Sequence, residues 1–308
     1  MNPQPQHCPL CGHPAGRFEV AGEYVYGGRP DQHFYACAAC TVAFIYPPMT
    51  EAEEREFYAR EFEKFMQTRA GSDGGWQGPE AHIAANQSTV ARRLAVLRPL
   101  LPPPGSRVLE FGCSSGFMLL ALRALGLDVM GMEPSGGFVE FVRSRGIPVA
   151  GSEAELERLA PPASLDLVLH FFVFEHMRHP LEFLQRSVSR LKPGGQLFFE
   201  VPSASDPLVT IYNIPAFHRF YWSAAHHWYF NRASLAYLLD RLGLRYQLIP
   251  EQRYDLSNHM WWALAGKPGG AGRFSASFTP ELKAAYLESM RRTGHCDTYF
   301  VHIVNTPR

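Results

Sequence analysis

Length, composition and charge indicate an ordinary globular protein. The chain has 308 residues, 46% of them apolar, which suffices for one large domain with an appendage. Lys and Arg total 29 and Asp and Glu total 29, so the chain lacks the positive excess expected of a protein that holds many phosphates by charge. A long nucleic-acid substrate is therefore disfavoured, although a local basic patch stays open.

The N-terminus and the hydrophobic runs predict a cytoplasmic protein. The first six residues have neither the basic start nor the apolar stretch of a signal peptide. No run approaches the roughly 20 apolar residues of a membrane span. In a reducing cytoplasm, cysteines are metal ligands or core residues more often than disulfides.

Two Cys-x-x-Cys pairs predict a zinc knuckle in residues 1–48. Cys8 and Cys11 form the first pair and Cys37 and Cys40 the second, so four thiolates can hold one tetrahedral Zn²⁺. Alternating apolar residues between the pairs predict short strands. Unligated cysteines are a weaker alternative. A redox role is disfavoured because no strand-then-helix pattern surrounds either pair.

Residues 49–104 are predicted to form a helical linker or cap. Thr50 and the acidic residues after it are typical of a capped helix start, and Gly71 to Gly78 interrupts the pattern. A second helix is predicted from Glu80 to Leu100.

From Ser106 onward, strand and helix patterns alternate. The predicted strands are 107–111, 128–132, 147–150, 165–170 and 196–201, and the predicted helices are 115–125, 137–145, 153–159 and 180–191. This order predicts an α/β fold with a parallel, doubly wound sheet. A helix at 232–242 and strands at 244–249 and 298–304 follow, with lid insertions at about 202–230 and 251–297. The segment 260–265 favours a helix.

The turn after the first of these strands predicts a nucleotide site. Gly112 and Gly116 follow the buried strand and open a helix, so the backbone can approach a ligand closely. Glu133 ends the next strand, where an acidic side chain can accept both hydroxyls of a ribose. A dehydrogenase could share these two features.

The pattern Glu110-x-Gly112-x-x-x-Gly116 with Glu133, the strand at 165–170 and the Lys-Pro-Gly-Gly turn at 191–197 resemble class I S-adenosylmethionine-dependent methyltransferases. The resemblance implies a Rossmann-like, seven-stranded sheet in residues 105–308, and S-adenosylmethionine as cofactor. Here Ser114 replaces the second glycine of the usual Gly-x-Gly. The predicted cofactor-binding residues are Glu110, Gly112, Cys113, Gly116, Glu133, Pro134, Ser135, His170 and Phe171.

Three histidines are candidate catalytic bases. His176 follows Glu175 just after the fourth strand, and His226 and His227 lie in the first insertion. An imidazole can take a proton near neutral pH, although a helix-capping histidine and an aromatic packing loop remain equally open explanations. With the zinc knuckle, these residues resemble the zinc-bearing methyltransferases of sugar and natural-product pathways, including sugar C-methyltransferases. That resemblance implies His227 as the base, with His226 in the place of a glutamate.

Some quinone-biosynthesis methyltransferases carry a further glutamate three residues before the Glu-His pair and bind a divalent ion there. Phe172 stands at that position in this chain, so we predict no catalytic metal at Glu175 and His176.

The predicted function is S-adenosylmethionine-dependent methyl transfer to a small-molecule acceptor, a sugar or natural-product intermediate. The alternatives are an RNA base methyltransferase, because one such family also carries a zinc knuckle, and a non-catalytic cofactor-binding scaffold. The predicted partners are the small molecule and structural zinc, with no membrane and with nucleic acid disfavoured. The acceptor, the methylated atom (C, O or N) and the oligomeric state stay open.

Overall fold

The structure is a computed structural model that describes residues 4–14, 16, 18–70, 78–134 and 136–307. The predicted break at 71–77 and the predicted cofactor residue Ser135 lie outside the described residues. The chain divides into two compact units. Unit 1 comprises Met1–Pro48, Phe174–Pro180 and Glu200–Val301, and unit 2 comprises Met49–Val173, Leu181–Phe199 and His302–Arg308.

The strands form two sheets, one of seven strands in the order β10-β11-β8-β7-β4-β5-β6 and one of four in the order β1-β2-β3-β9. Their bounds are β1 (Phe18–Gly22), β2 (His33–Cys37), β3 (Ala43–Tyr46), β4 (Arg107–Phe111), β5 (Asp128–Met132), β6 (Val149–Ala150), β7 (Leu165–Phe171), β8 (Leu191–Pro202), β9 (Trp228–Tyr229), β10 (Leu244–Glu251) and β11 (Thr298–Pro307). The mixed seven-stranded sheet confirms the predicted Rossmann-like fold class.

Helices connect these strands. They are α1 (Glu51–Glu56), α2 (Phe62–Ala70), α3 (Pro79–Ala85), α4 (Gln87–Leu97), α5 (Phe117–Ala124), α6 (Gly136–Ser144), α7 (Glu153–Leu159), α8 (Pro180–Ser189), α9 (Pro207–Thr210), α10 (Pro215–Tyr221), α11 (Arg232–Asp240), α12 (Leu256–Ala265) and α13 (Pro280–Thr293). A π-helical turn follows α1, and 3₁₀ turns include Phe174–His176. Among the described residues, every helix is too short or too polar to cross a membrane.

In unit 2, the carboxyl ends of three parallel strands lie side by side. Phe111 at the end of β4 is in register with Met132 of β5 and with His170 of β7. Strands β4 and β7 are buried along almost their whole length, because both faces of a parallel sheet are covered. The residues that follow each strand therefore meet at one edge of the sheet.

In unit 1, the small sheet and the first insertion share one aromatic core. Phe34 of β2 packs against Trp222 and Tyr229, with ring centroids 5.2 and 5.1 Å apart. Phe217 and Tyr221 of α10 belong to the same buried cluster. Many of the aromatic residues that are dense in the insertion sequence thus pack as core.

Several predicted elements are confirmed. Thr50 caps α1 in a capping box, because the Glu53 amide donates to Thr50 Oγ1 (3.2 Å) and the Thr50 amide donates to Glu53 Oε2 (2.6 Å). The segment 260–265 lies in helix α12, and the last strand is β11.

Two predicted boundaries were wrong. The helix predicted from Glu80 to Leu100 is broken at Asn86, whose side-chain amide donates to the His82 carbonyl (2.8 Å) and thereby ends α3. The strand predicted from Gln196 begins instead at Leu191. Asn305 Nδ2 donates to the carbonyls of Leu191 and Lys192 (3.2 and 3.1 Å), which fixes this glycine-containing segment in the sheet.

Candidate functional site

The turn after β4 requires glycine. Gly112 has a φ of +66°, and a Cβ atom added there would lie 2.5 Å from Val173 Cγ2. The Gly112 amide donates to the Met132 carbonyl at the end of β5 (2.8 Å). Gly116, with a φ of +73°, is the N-cap of α5. The turn therefore presents bare backbone at the edge of the sheet.

Glu133 is fixed against this same turn. Its Oε2 atom accepts a hydrogen bond from the Ser114 amide (2.8 Å), and the residue is buried. Pro134 follows on the exposed surface. The structure thus brings the acidic residue of β5 to the glycine turn of β4.

Glu110 places a buried carboxyl group beneath the turn. The residue is 3% exposed, and Oε2 has no hydrogen-bond partner among the described residues. Burial raises the pKa of Glu110 to about 8; the positive charge of Arg93 opposes this shift and the charge of Glu133 adds to it. A buried carboxyl oxygen without a hydrogen-bond partner favours binding of a cationic group there.

Cys113 is packed rather than reactive. A Cβ atom on Gly131 would lie 2.5 Å from Cys113 Sγ, so the thiol fills the space above a glycine of β5. Burial, Glu110 and Glu133 all raise the pKa of the Cys113 thiol, which keeps it protonated.

The two predicted residues of β7 have different surroundings. The ring of His170 is fully buried, stacks on Phe199 (centroids 4.3 Å apart) and meets Phe183 edge-on. Burial lowers the pKa of His170 to about 3, so the imidazole is neutral. This packing argues against a direct role of its side chain in cofactor binding. The guanidinium of Arg93 lies over the ring of Phe171, with 4.1 Å between Arg93 Cζ and the ring centroid.

In unit 1, the four predicted zinc ligands converge. Sγ of Cys8 lies 3.7 Å from that of Cys40, and Sγ of Cys11 lies 3.7 Å from that of Cys37. All four sulfur atoms lie within 4.8 Å of one another. Four thiolates about 2.3 Å from one tetrahedral Zn²⁺ lie ~3.8 Å apart, so the cluster fits zinc.

The three candidate catalytic histidines also lie together in unit 1. The rings of His176 and His226 are 4.7 Å apart at 86°. The His227 amide donates to the Glu175 carbonyl (2.8 Å), and the His227 carbonyl accepts from the amide of Ile45 in the knuckle (3.1 Å). Backbone hydrogen bonds therefore join the turn after β7, the first insertion and the knuckle.

Comparison with known proteins assigns the family. Residues 83–248 match the sequence profile of a family described as "Methyltransferase domain". The chain belongs to this family. The methyltransferase is 26% identical over 218 residues to the ubiquinone biosynthesis O-methyltransferase of Xanthomonas axonopodis pv. citri, a match that covers 67% of this chain and 89% of that protein. It is therefore an S-adenosylmethionine-dependent enzyme, as predicted.

Two further similarities are more limited. The methyltransferase is 30% identical to the tRNA U34 carboxymethyltransferase of Idiomarina loihiensis over 151 residues, 46% of each chain. The structure of a SAM-dependent methyltransferase from Archaeoglobus fulgidus matches with a TM-score of 0.52 and 19% identity, covering 79% of this chain and 99% of that one. The likeness to the Archaeoglobus fulgidus structure supports the fold alone.

The residues at the edge of the unit 2 sheet fit S-adenosylmethionine. The cofactor carries a methyl group on a sulfonium centre, together with an ammonium group, a carboxylate and a ribose. The orphaned carboxyl oxygen of Glu110 suits the ammonium group, the bare backbone at Gly112 admits close approach, and Glu133 suits the ribose hydroxyls. These residue roles remain predictions.

Two residues of the upstream helices lie at the glycine turn although the sequence pattern did not single them out. Arg93 of α4 is 4% exposed, and its charge acts on Glu110. His82 of α3 is buried, and its Nδ1 atom lies 2.9 Å from Ser115 Oγ in the glycine turn. The sequence signal for both was a polar residue within the single helix predicted from Glu80 to Leu100, but only the fold shows what these residues contact.

The protonation of Glu110 predicts a pH dependence of cofactor affinity. With a raised pKa near 8, Glu110 is largely protonated at pH 6–7, and it must ionise to pair with an ammonium group. We expect affinity to rise with pH by up to about tenfold per unit and to level off near pH 8. The pKa of Glu110 in the folded protein, about 8, lies above its ordinary value of 4.5. The same group therefore makes the ligand-free protein less stable as pH rises between these two values.

Titration calorimetry between pH 6 and 9, in buffers of different ionisation enthalpy, measures the affinity and the proton release. The Glu110→Gln variant should lack this contribution to the slope. Equal slopes in wild type and variant would contradict the assignment.

Proposed function

We propose that the enzyme methylates a hydroxyl group of a small-molecule acceptor, an intermediate of sugar or natural-product type. The observation that carries this proposal is the histidine cluster of unit 1, in which the backbone of His227 is held between Glu175 and Ile45. Methyl transfer is an in-line displacement, so the enzyme needs a base only when the acceptor must lose a proton. The likeness to ubiquinone biosynthesis O-methyltransferases supports an oxygen acceptor.

This proposal assigns separate tasks to the predicted cofactor-binding residues and to the predicted base. Glu110, Gly112 and Glu133 hold the cofactor, and buried Arg93 pairs with its carboxylate as a charge-assisted partner. His227 takes the proton of the acceptor hydroxyl.

The test combines an acceptor screen with a histidine variant. S-adenosylhomocysteine release is measured with nucleotide sugars and with catechol-type aromatic metabolites. For an acceptor that turns over, His227→Ala should lower kcat by about 10²- to 10⁴-fold, because a positioned base contributes that much. Cofactor affinity should stay unchanged.

His179→Ala is the matched control, since His179 is an exposed histidine three residues after His176. It should retain wild-type kcat. A His227→Ala variant with kcat within twofold of wild type would remove His227 as the base.

RNA is the second candidate acceptor, favoured by the likeness to a tRNA U34 carboxymethyltransferase. Against it stands the formal net charge of zero, since RNA binding relies on Lys and Arg contacts to phosphates. Unfractionated tRNA in the same release assay distinguishes the two. Turnover with tRNA and none with small molecules would replace the first proposal.

A further inference from the structure

Three metal-ligating side chains meet in unit 1 outside the four-cysteine cluster. Glu175 and His176 belong to the 3₁₀ turn Phe174–His176, and His226 comes from the first insertion. One ligand atom of each lies within 4.8 Å of the others. We propose that Glu175, His176 and His226 bind a divalent transition-metal ion and leave coordination positions open.

The tautomer of His176 suits a metal ligand. Its Nδ1 atom lies 2.7 Å from the Ala225 carbonyl oxygen. A carbonyl accepts only, so Nδ1 carries the proton and Nε2 presents a lone pair. That Nε2 atom lies 4.0 Å from Glu175 Oε1. Metal-bound histidines usually donate their other N–H to a carbonyl or carboxylate in this way.

The spacing needs only a small adjustment. Ligand atoms about 2.1 Å from one tetrahedral ion lie roughly 3.4 Å apart. The 4.0 Å between His176 and Glu175, and the 4.8 Å limit for the whole set, require a contraction of at most about 1.4 Å. Rotation of the side chains supplies this, because the backbone on both sides is already joined by the hydrogen bond from the His227 amide to the Glu175 carbonyl.

Burial favours a cation at this position. Glu175 is fully buried, whereas His176 and His226 are partly exposed, so the cluster has a buried carboxylate behind and imidazoles nearer the surface. Nearby positive charge stabilises a buried carboxylate. A divalent ion at this position would add such charge and remain accessible from the histidine side.

The ligand types select the ion. Two imidazole nitrogens and one carboxylate oxygen suit Zn²⁺, Mn²⁺, Fe²⁺ or Co²⁺, whereas Mg²⁺ and Ca²⁺ prefer oxygen ligands. Three protein ligands leave room for water or for oxygen atoms of an acceptor. Metal binding needs neither cofactor nor substrate, so it does not depend on the proposed function. Only the binding of acceptor oxygen atoms to the ion rests on that function. This proposal replaces the prediction that no metal binds beside the Glu-His pair, because His226 would serve as the third ligand.

The experiment counts metal ions on the intact chain. Protein whose knuckle zinc is retained is titrated with Co²⁺ or Mn²⁺ alone, and binding is followed by Co²⁺ visible absorption and by Mn²⁺ electron paramagnetic resonance. We expect one additional ion per chain, without the near-ultraviolet thiolate-to-cobalt band that substitution at the cysteines would produce. Excess Mg²⁺ should not displace it.

Glu175→Gln and His226→Asn should each weaken this binding at least tenfold, and His179→Asn should leave it unchanged. If Glu175→Gln does not fold, the partly exposed His226 still decides the question. No additional ion in wild type, equal affinity in the ligand variants, or displacement by Mg²⁺ would overturn the proposal.

Discussion

Removal of the knuckle zinc should destabilise unit 1 as a whole, not only residues 1–48. Strand β3 pairs with β9, with Ala43 opposite Tyr229 and Phe44 opposite Trp228. The knuckle also contributes Phe34 to the aromatic core around Trp222. Structural Zn²⁺ supplies on the order of 10 kcal/mol in small knuckles, so its loss should unfold the strands on which this core depends.

The variants are Cys8→Ser and Cys40→Ser. We expect the zinc content, measured by mass spectrometry of the metal, to fall by about one ion per chain. The melting temperature of unit 1 should drop by roughly 10 °C or more. Cys296→Ala, which changes a buried cysteine of the same unit outside the cluster, should keep the zinc. Full thermal stability of a zinc-free protein would contradict the role assigned to the knuckle.

Glu133→Ala should abolish measurable cofactor binding. The carboxylate is predicted to accept both ribose hydroxyls, and hydrogen bonds to a charged group contribute about 1.5–3 kcal/mol each. The substitution also removes the acceptor of the Ser114 amide, which holds the glycine turn in place. Together these losses should weaken binding by at least about 100-fold.

Calorimetric titration with S-adenosylmethionine and S-adenosylhomocysteine measures this effect. Glu140→Ala, which removes an exposed glutamate on α6 of the same unit, is the matched control and should bind as wild type does. Glu133→Gln keeps the shape and one acceptor oxygen and should fall between the two. Wild-type affinity in Glu133→Ala would place the ribose elsewhere.

The fold class and the family follow from local patterns in the sequence. Alternation of buried strands and helices predicts a doubly wound sheet because each element must bury its apolar face against the next layer. The Gly112 turn and Glu133 could be identified because parallel strands align their carboxyl ends, so residues separated along the chain meet at one edge. The cysteine cluster could likewise be predicted, because the Cys-x-x-Cys spacing is typical of zinc ligands.

Other features depend on contacts between segments that are distant in sequence. His226 lies 50 positions after His176, and no spacing rule connects them; their rings meet because the Ala225 carbonyl accepts a hydrogen bond from His176. The burial of Arg93 and of the His170 ring depends on which neighbours cover them.

The sequence by itself determined the sheet, the cysteine cluster and the glycine turn, because periodicity and short spacings encode them. Only the tertiary structure decided the histidine cluster, the buried charge of Arg93 and the joining of the knuckle to the insertion. Packing and hydrogen bonds between remote segments carry no local signature.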